Sequence, residues 1–156
     1  MRVNLGDSAP PSESFNEDAV EVSPWLGLPL VVNGGAGADE FELFWSHALE
    51  TEGACICTRT IFHGGGGPDS SYNADKAFGG GGHDSLWALY HPRGTLQSGG
   101  DKRDLILATH NKGDVVRGGD GSDIIDTKDH HVDDVNGGAG KDSGRFDGKD
   151  HVTNVP

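Results

Sequence analysis

The sequence predicts an all-β chain that coils as a thin solenoid of tight turns and short strands. Three observations carry this. First, runs of Gly-Gly-x-x-x-Asp recur at residues 34–39 (GGAGAD), 64–69 (GGGGPD), 79–84 (GGGGHD), 99–104 (GGDKRD), 118–123 (GGDGSD) and 137–142 (GGAGKD). Second, hydrophobic residues are only 33% of the chain while glycine supplies 26 of its 156 residues, without a Gly-X-Y period. That composition is too lean for a thick core but suffices for a stacked ladder. Third, from residue 84 an aliphatic residue follows two places after an Asp-like position, in the pairs Asp84/Leu86, Gly94/Leu96, Asp104/Ile106, Asp114/Val116, Asp123/Ile125 and Asp133/Val135. These pairs step by 10, 10, 10, 9 and 10 residues, so each is half of a coil of 19–20 residues with its aliphatic side chain pointing inward.

Taken in order, residues 1–23 are rich in Ser, Pro, Asn and acids and read as a flexible or extended arm. The apolar run WLGLPLVV (25–32) reads as a first strand or a cap over the open end of the core, which a solenoid must cover. Residues 24–156 form the repeat domain. Motif starts at 34, 64, 79, 99, 118 and 137 are separated by 30, 15, 20, 19 and 19 residues. The long gap holds an excursion around residues 43–60, and the step of 15 implies a shortened coil near residues 70–76 and a distorted middle. Only alternate half-coils carry Gly-Gly; the others read HPRGTL, HNKGDVV and HHVDDV. The Gly-Gly turns should therefore line one edge and plain polar turns the other. Residues 143–156 form a C-terminal cap, with Phe146 and Val152 as candidates for sealing the core.

Net charge is −13, with no basic patch to neutralise phosphates, so nucleic acid and anionic membrane surfaces are excluded as partners. No apolar stretch is long enough for a membrane-spanning helix, and the N-terminus has no apolar core of a cleavable signal. Met1 followed by a non-repetitive arm reads as a complete small protein. Cys55 and Cys57 are too close along a strand for an unstrained bridge and read as semi-buried thiols.

Glycine lets the turn backbone coil tightly and expose its carbonyls, and the following Asp adds an anionic oxygen. Carbonyl plus carboxylate oxygen is the donor set of Ca²⁺, which takes six to eight ligands and so needs two stacked turns per ion. Several Ca²⁺ ions are expected. A row of Asp along one edge repels itself without a cation, which couples binding to folding.

This pattern resembles the RTX nonapeptide, Gly-Gly-x-Gly-x-Asp-x-(apolar)-x, a calcium-binding parallel β-helix repeat. GGDGSDIID (118–126), GGGGHDSLW (79–87) and GGAGADEFE (34–42) match it; GGAGKDSGR, GGGGPDSSY and GGDKRDLIL depart at one position each, with Gly144, Ser71 and Lys102. The resemblance covers roughly residues 30–150. It implies a right-handed parallel β-roll with calcium in the Gly-rich turns, export by type I secretion without a cleaved N-terminal signal, and folding outside the cell. The metal carboxylates it implies are Asp84, Asp104, Asp123 and Asp142, with Asp39 and Asp69 in the irregular half. Backbone ligands would come from Gly79, Gly80, Gly82, Gly99, Asp101, Gly118, Gly119, Gly121, Gly137, Gly138 and Gly140. Lys102 weakens the turn at 99, and Asp101 and Asp120 read as solvated.

The histidines, including His63, His83, His91, His110, His130, His131 and His151, read as turn residues facing water; His130 and His131 beside Asp129 and Asp133 suggest a transition-metal site, and a solvated turn is the preferred reading. No Gly-x-Ser-x-Gly elbow, His-Glu-x-x-His helix or phosphate loop is present, so no catalytic residue is expected. The expected role is a secreted structural module that assembles with its own copies or a cell-surface partner through apolar FELFW (41–45) and WLGLPLVV. The alternative is a calcium-dependent carbohydrate-binding or accessory module of an RTX exoenzyme, with Trp45, Trp87 and Tyr90 stacking on sugars or other glycans.

Overall fold

A computed structural model describes residues 2–7, 18–22, 29–43, 59–89, 94–110 and 113–156; for the first two stretches only the strand path is described. Among these residues all regular structure is β. The strands are β1 (Arg2–Asp7), β2 (Asp18–Val22), β3 (Leu30–Ala36), β4 (Asp39–Leu43), β5 (Thr60–Gly66), β6 (Ser70–Tyr72), β7 (Lys76–Gly81), β8 (Ser85–Ala88), β9 (Leu96–Asp101), β10 (Leu105–Ala108), β11 (Val115–Gly121), β12 (Ile124–Asp126), β13 (Asp134–Gly140), β14 (Ser143–Arg145) and β15 (His151–Thr153). Odd strands form one eight-stranded sheet and even strands a seven-stranded one, each in sequence order. Every pairing is parallel. The molecule is a β-solenoid in which each coil lays one strand on each sheet.

Strand alternation places every second side chain inside. In the odd sheet the inward column through Val32, Phe62, Ala77, Gln97, Val116, Val135 and Val152 is held in register. The facing even column runs through Phe41, Ser71, Leu86, Ile106, Ile125 and Gly144. The two columns make a core one side chain deep from each sheet. Phe41 stacks on Phe62 with ring centroids 5.8 Å apart, filling the layer beside the small Ser71 and Ala77. This thinness explains how so few apolar residues support the fold.

Three expectations are corrected. Leu96 does not point inward: Thr95 stands over the turn and Gln97 is the buried residue, 1% exposed, with Leu96 on the outer face. The pair is Thr95/Gln97, and the chain places the polar residue inside because register with Ala77 and Val116 leaves no other choice. Gln97 Nε2 donates to the Ala74 carbonyl at 3.3 Å. Second, the middle is not distorted: the short coil turns on Asn73, which takes a φ of 61°, and β5, β7 and β9 stay in register across it. Third, His63 and His151 lie on strands rather than turns, and His63 stacks on Phe78 at 5.0 Å.

Residues 2–7 and 18–22, read from the sequence as part of an arm, are the strands β1 and β2 that pair with β3 and β4. Of the run 25–32, residues 25–28 lie outside the described residues, and the rest leads into β3. The excursion lies largely outside them too, as residues 44–58, with Trp45, Cys55 and Cys57; so do Tyr90 and His91. At the C-terminal end, Phe146 packs against the core while Val152 continues the inward column and is 37% exposed. An added Cβ on Gly144 would run into the Phe146 ring and the Ile125 carbonyl, so the missing apolar residue of the last motif is the space that Phe146 occupies.

Ile106→Ala empties a fully buried position and is expected to lower stability by about 3 kcal/mol. Leu96→Ser, on the outer face, is expected to change it by about 1 kcal/mol or less. Urea unfolding of both variants checks the corrected register; an equal loss at Leu96 would contradict it.

Candidate metal centre

Strands β3, β5, β7, β9, β11 and β13 run into the Gly-Gly turns and the even strands β4 to β14 start at or just after the motif Asp, so all six motifs fall on one edge of the solenoid. Register stacks Gly35, Gly65, Gly80, Gly100, Gly119 and Gly138 in one file. The acids Asp39, Asp69, Asp84, Asp104, Asp123 and Asp142 form a second file, each 4% exposed or less.

These carboxylates are laced together by the backbone. Asp39 N–H donates to Asp69 Oδ1, Asp69 N–H to Asp84 Oδ1, Asp84 N–H to Asp104 Oδ1, Asp104 N–H to Asp123 Oδ1 and Asp123 N–H to Asp142 Oδ1, all at 2.9 Å. From Asp69 onward, each acid thus ties its own coil to the preceding one. The other oxygen is left over: Oδ2 of Asp69, Asp84, Asp104, Asp123 and Asp142 is buried and has no hydrogen-bond partner. A buried carboxylate oxygen without a partner is strongly disfavoured, since it has lost water and gained nothing.

The first glycine of each motif makes room for this oxygen. A Cβ on Gly79 would strike Asp84 Oδ2 and sit 2.6 Å from the Gly99 carbonyl oxygen of the next coil. The same pair of oxygens, a motif carboxylate and the next coil's carbonyl, crowds Gly64, Gly99 and Gly118; for Gly137 the carbonyl is that of Asn154. Carboxylate and carbonyl oxygen therefore converge at each step, a donor set that suits a hard cation. The residues fit a metal on this edge, and the buried Asp groups could hold one.

The fourth motif position takes positive φ at Gly82, Gly121 and Gly140, between 142° and 151°. Lys102 occupies it in the turn at 99 and is forced to a φ of 77°. Its carbonyl still stacks under Gly121, so the turn is kept at the expense of backbone strain rather than lost. Asp101 and Asp120 are exposed.

Burial is the main reason that the acids resist ionisation. It pushes Asp69 and Asp104 from 3.8 up to about 7 against the opposing effect of the backbone N–H each accepts, and their Asp neighbours add to the rise. Asp84 and Asp123 are raised for the same first cause.

The opposite edge holds a carboxylate ladder that the sequence reading treated as plain polar turns. Asp114 N–H donates to Asp133 Oδ1 at 2.8 Å and Asp133 N–H to Asp150 Oδ1 at 3.2 Å. Higher in the column threonines replace the donors' acids: Thr95 gives both N–H and Oγ1–H to Asp114, and Thr60 gives both to Asp75. The readable signal was an Asp two places before each inward aliphatic residue even where no Gly-Gly preceded it. Asp114, Asp129 and Asp133 bring carboxylate oxygens within 4.8 Å of one another.

Compared with protein-family models, curated proteins and solved structures, the chain matches none.

Two outcomes follow. Gly118→Ala drives a methyl into Asp123 Oδ2 and the Gly137 carbonyl and is expected to lower stability by about 3 kcal/mol, whereas Lys102→Gly relieves the strained turn and is expected to raise it by about 1 kcal/mol; chemical denaturation checks both. The raised carboxylates set a pH dependence of opposite sign to ordinary acid denaturation. A folded-state pKa of about 7 against 3.8 when unfolded stabilises the fold fully below 3.8, and that contribution is lost as pH rises through about 7. In chelator, the thermal midpoint should therefore fall between about pH 4.5 and pH 8. A midpoint that rises over this interval would contradict the assignment.

Proposed function

We propose that the chain is a secreted calcium-binding structural module of the RTX kind, whose folding is driven by Ca²⁺. The observation that carries this reading is the file of buried Oδ2 atoms on Asp69, Asp84, Asp104, Asp123 and Asp142, each meeting carbonyl oxygen from the adjoining coil. A Ca²⁺ ion supplies the charge that this file lacks. Calcium is favoured over Mg²⁺ because the donors are numerous and mix carboxylate with carbonyl oxygen, whereas Mg²⁺ keeps its waters and demands a tight octahedron. The protein's part is to hold each carboxylate by Oδ1 so that Oδ2 is presented without further ordering, and to bring the carbonyls beside it.

A protein built this way folds where free calcium is high, which supports an extracellular or cell-surface location. Its task is then mechanical: a rod whose stiffness depends on the cation. Among the described residues both sheets end on open strands, β1 and β15 in one and β2 and β14 in the other, which supports end-to-end assembly with further copies or a surface partner. Sugar stacking has weaker support. Trp87 lies edge-on to Tyr72, ring centroids 4.8 Å apart, so its ring is partly covered.

Circular dichroism with and without calcium tests the proposal. The expected result is loss of β signal in excess chelator and its recovery on adding Ca²⁺, with Asp123→Asn shifting the calcium midpoint by about tenfold or more. A chain equally folded in excess chelator at neutral pH would overturn it.

A further inference from the structure

The edge opposite the Gly-Gly turns carries a second arrangement that the repeat does not account for. Asp129 lies in the turn between β12 and β13 and its side chain is fully buried. That turn is tied down: Asp147 Oδ2 accepts the N–H of Asp129 at 2.9 Å and that of His130, and Asp129 Oδ1 accepts the N–H of His131 at 2.8 Å. His130 takes a φ of 76° to make this bend. The result aims Asp129 at the Asp114–Asp133 rung of the opposite ladder, with the carboxylate oxygens of the three within 4.8 Å. Asp133 is 1% exposed; its Oδ1 is taken by Asp114 N–H, while its Oδ2 is buried and has no hydrogen-bond partner.

Three carboxylates from two coils and one turn converge here, and the unpartnered oxygen belongs to Asp133, a residue 1% exposed. Two ligands on opposite sides of a Ca²⁺-sized ion are about 4.8 Å apart, so one ion can bridge this span. We infer that Asp114, Asp129 and Asp133 form a single hard divalent-cation site, separate from the Gly-Gly edge and built from side-chain oxygens rather than glycine carbonyls. Burial first, then the charges of Asp114, Asp129 and Asp150, push Asp133 up to about 7 against the opposing effect of the Asp114 N–H that it accepts. His131 lies on the rim with Nδ1 3.2 Å from Asp129 Oδ2, without hydrogen-bonding geometry. With three oxygen donors the site suits Ca²⁺ or Mn²⁺ rather than a soft metal. It would pin the bend between β12 and β13 to the body of the solenoid.

The test uses the full chain. Native mass spectrometry counts bound Ca²⁺ in the wild type, in Asp129→Asn and in Asp123→Asn. Asp129→Asn keeps the acceptor for His131 N–H and lies outside both ladders. The expected result is one fewer ion in Asp129→Asn, with the Gly-Gly edge still loaded. Mn²⁺ added to wild-type protein should bleach the amide signals of Asp114, His131 and Asp133, and this bleaching should vanish in Asp129→Asn. An unchanged ion count together with unbleached wild-type amides would overturn the inference. If Asp129→Asn fails to fold, wild-type Mn²⁺ bleaching decides alone. Should the Gly-Gly edge bind nothing while this site still loads, the calcium-module proposal fails and this inference stands.

Discussion

From Asp69 onward, each motif carboxylate is asked to do two incompatible things. Through Oδ1 it accepts the backbone N–H of the preceding coil at 2.9 Å and so stitches the stack together. To reach that N–H it must leave water, and Oδ2 is then stranded in the interior. A charge-assisted hydrogen bond is a strong one, but a buried, repeated negative charge opposes it with more than one bond can offset. The ladder is therefore stable only if each carboxylate is neutralised, by a proton or by a cation. The turn geometry, the lean core and the dependence on conditions all descend from this conflict.

The glycines answer to the same constraint. Gly79, Gly99 and Gly118 are bare because a carboxylate and a carbonyl occupy the space in which a Cβ would stand. The core can be thin because the stack is also held from its edges. Two inward columns of single side chains, with Ser71 and Gln97 among them, would be a poor core for a sandwich. Here the backbone ladders of both sheets and the Asp ladders of both edges share the load. Where the second edge lacks an acid, Thr60 and Thr95 close the rung with paired N–H and hydroxyl donors to one carboxylate.

The coil period and the common edge of the Gly-Gly turns were legible because glycine spacing and the inward aliphatics are local signals that repeat. Leu96 stands near the place where the aliphatic rhythm expects an inward residue, but register, a property of three strands together, puts Gln97 there instead. RVNLGD and DAVEV carry no turn signal and pair only because a neighbouring coil offers an edge, so their strands were invisible in isolation. The second Asp ladder was half visible: Asp114 and Asp133 were noted for their rhythm, yet their bonding shows only when coils are stacked. Asp129 stands in the sequence beside Asp133 and the two histidines, but its burial was out of reach, because it depends on Asp147, 18 residues away, gripping the turn.

If carboxylates held near neutral pKa values are what a cation must discharge, then binding must expel protons. Proton release on adding calcium to the metal-free chain, measured potentiometrically at about pH 5, where the protonated ladder keeps the fold, and again at about pH 8.5, reads this directly. The account predicts more than one proton released per chain at the lower pH and almost none at the higher. Calcium binding with no proton release at the lower pH would contradict it.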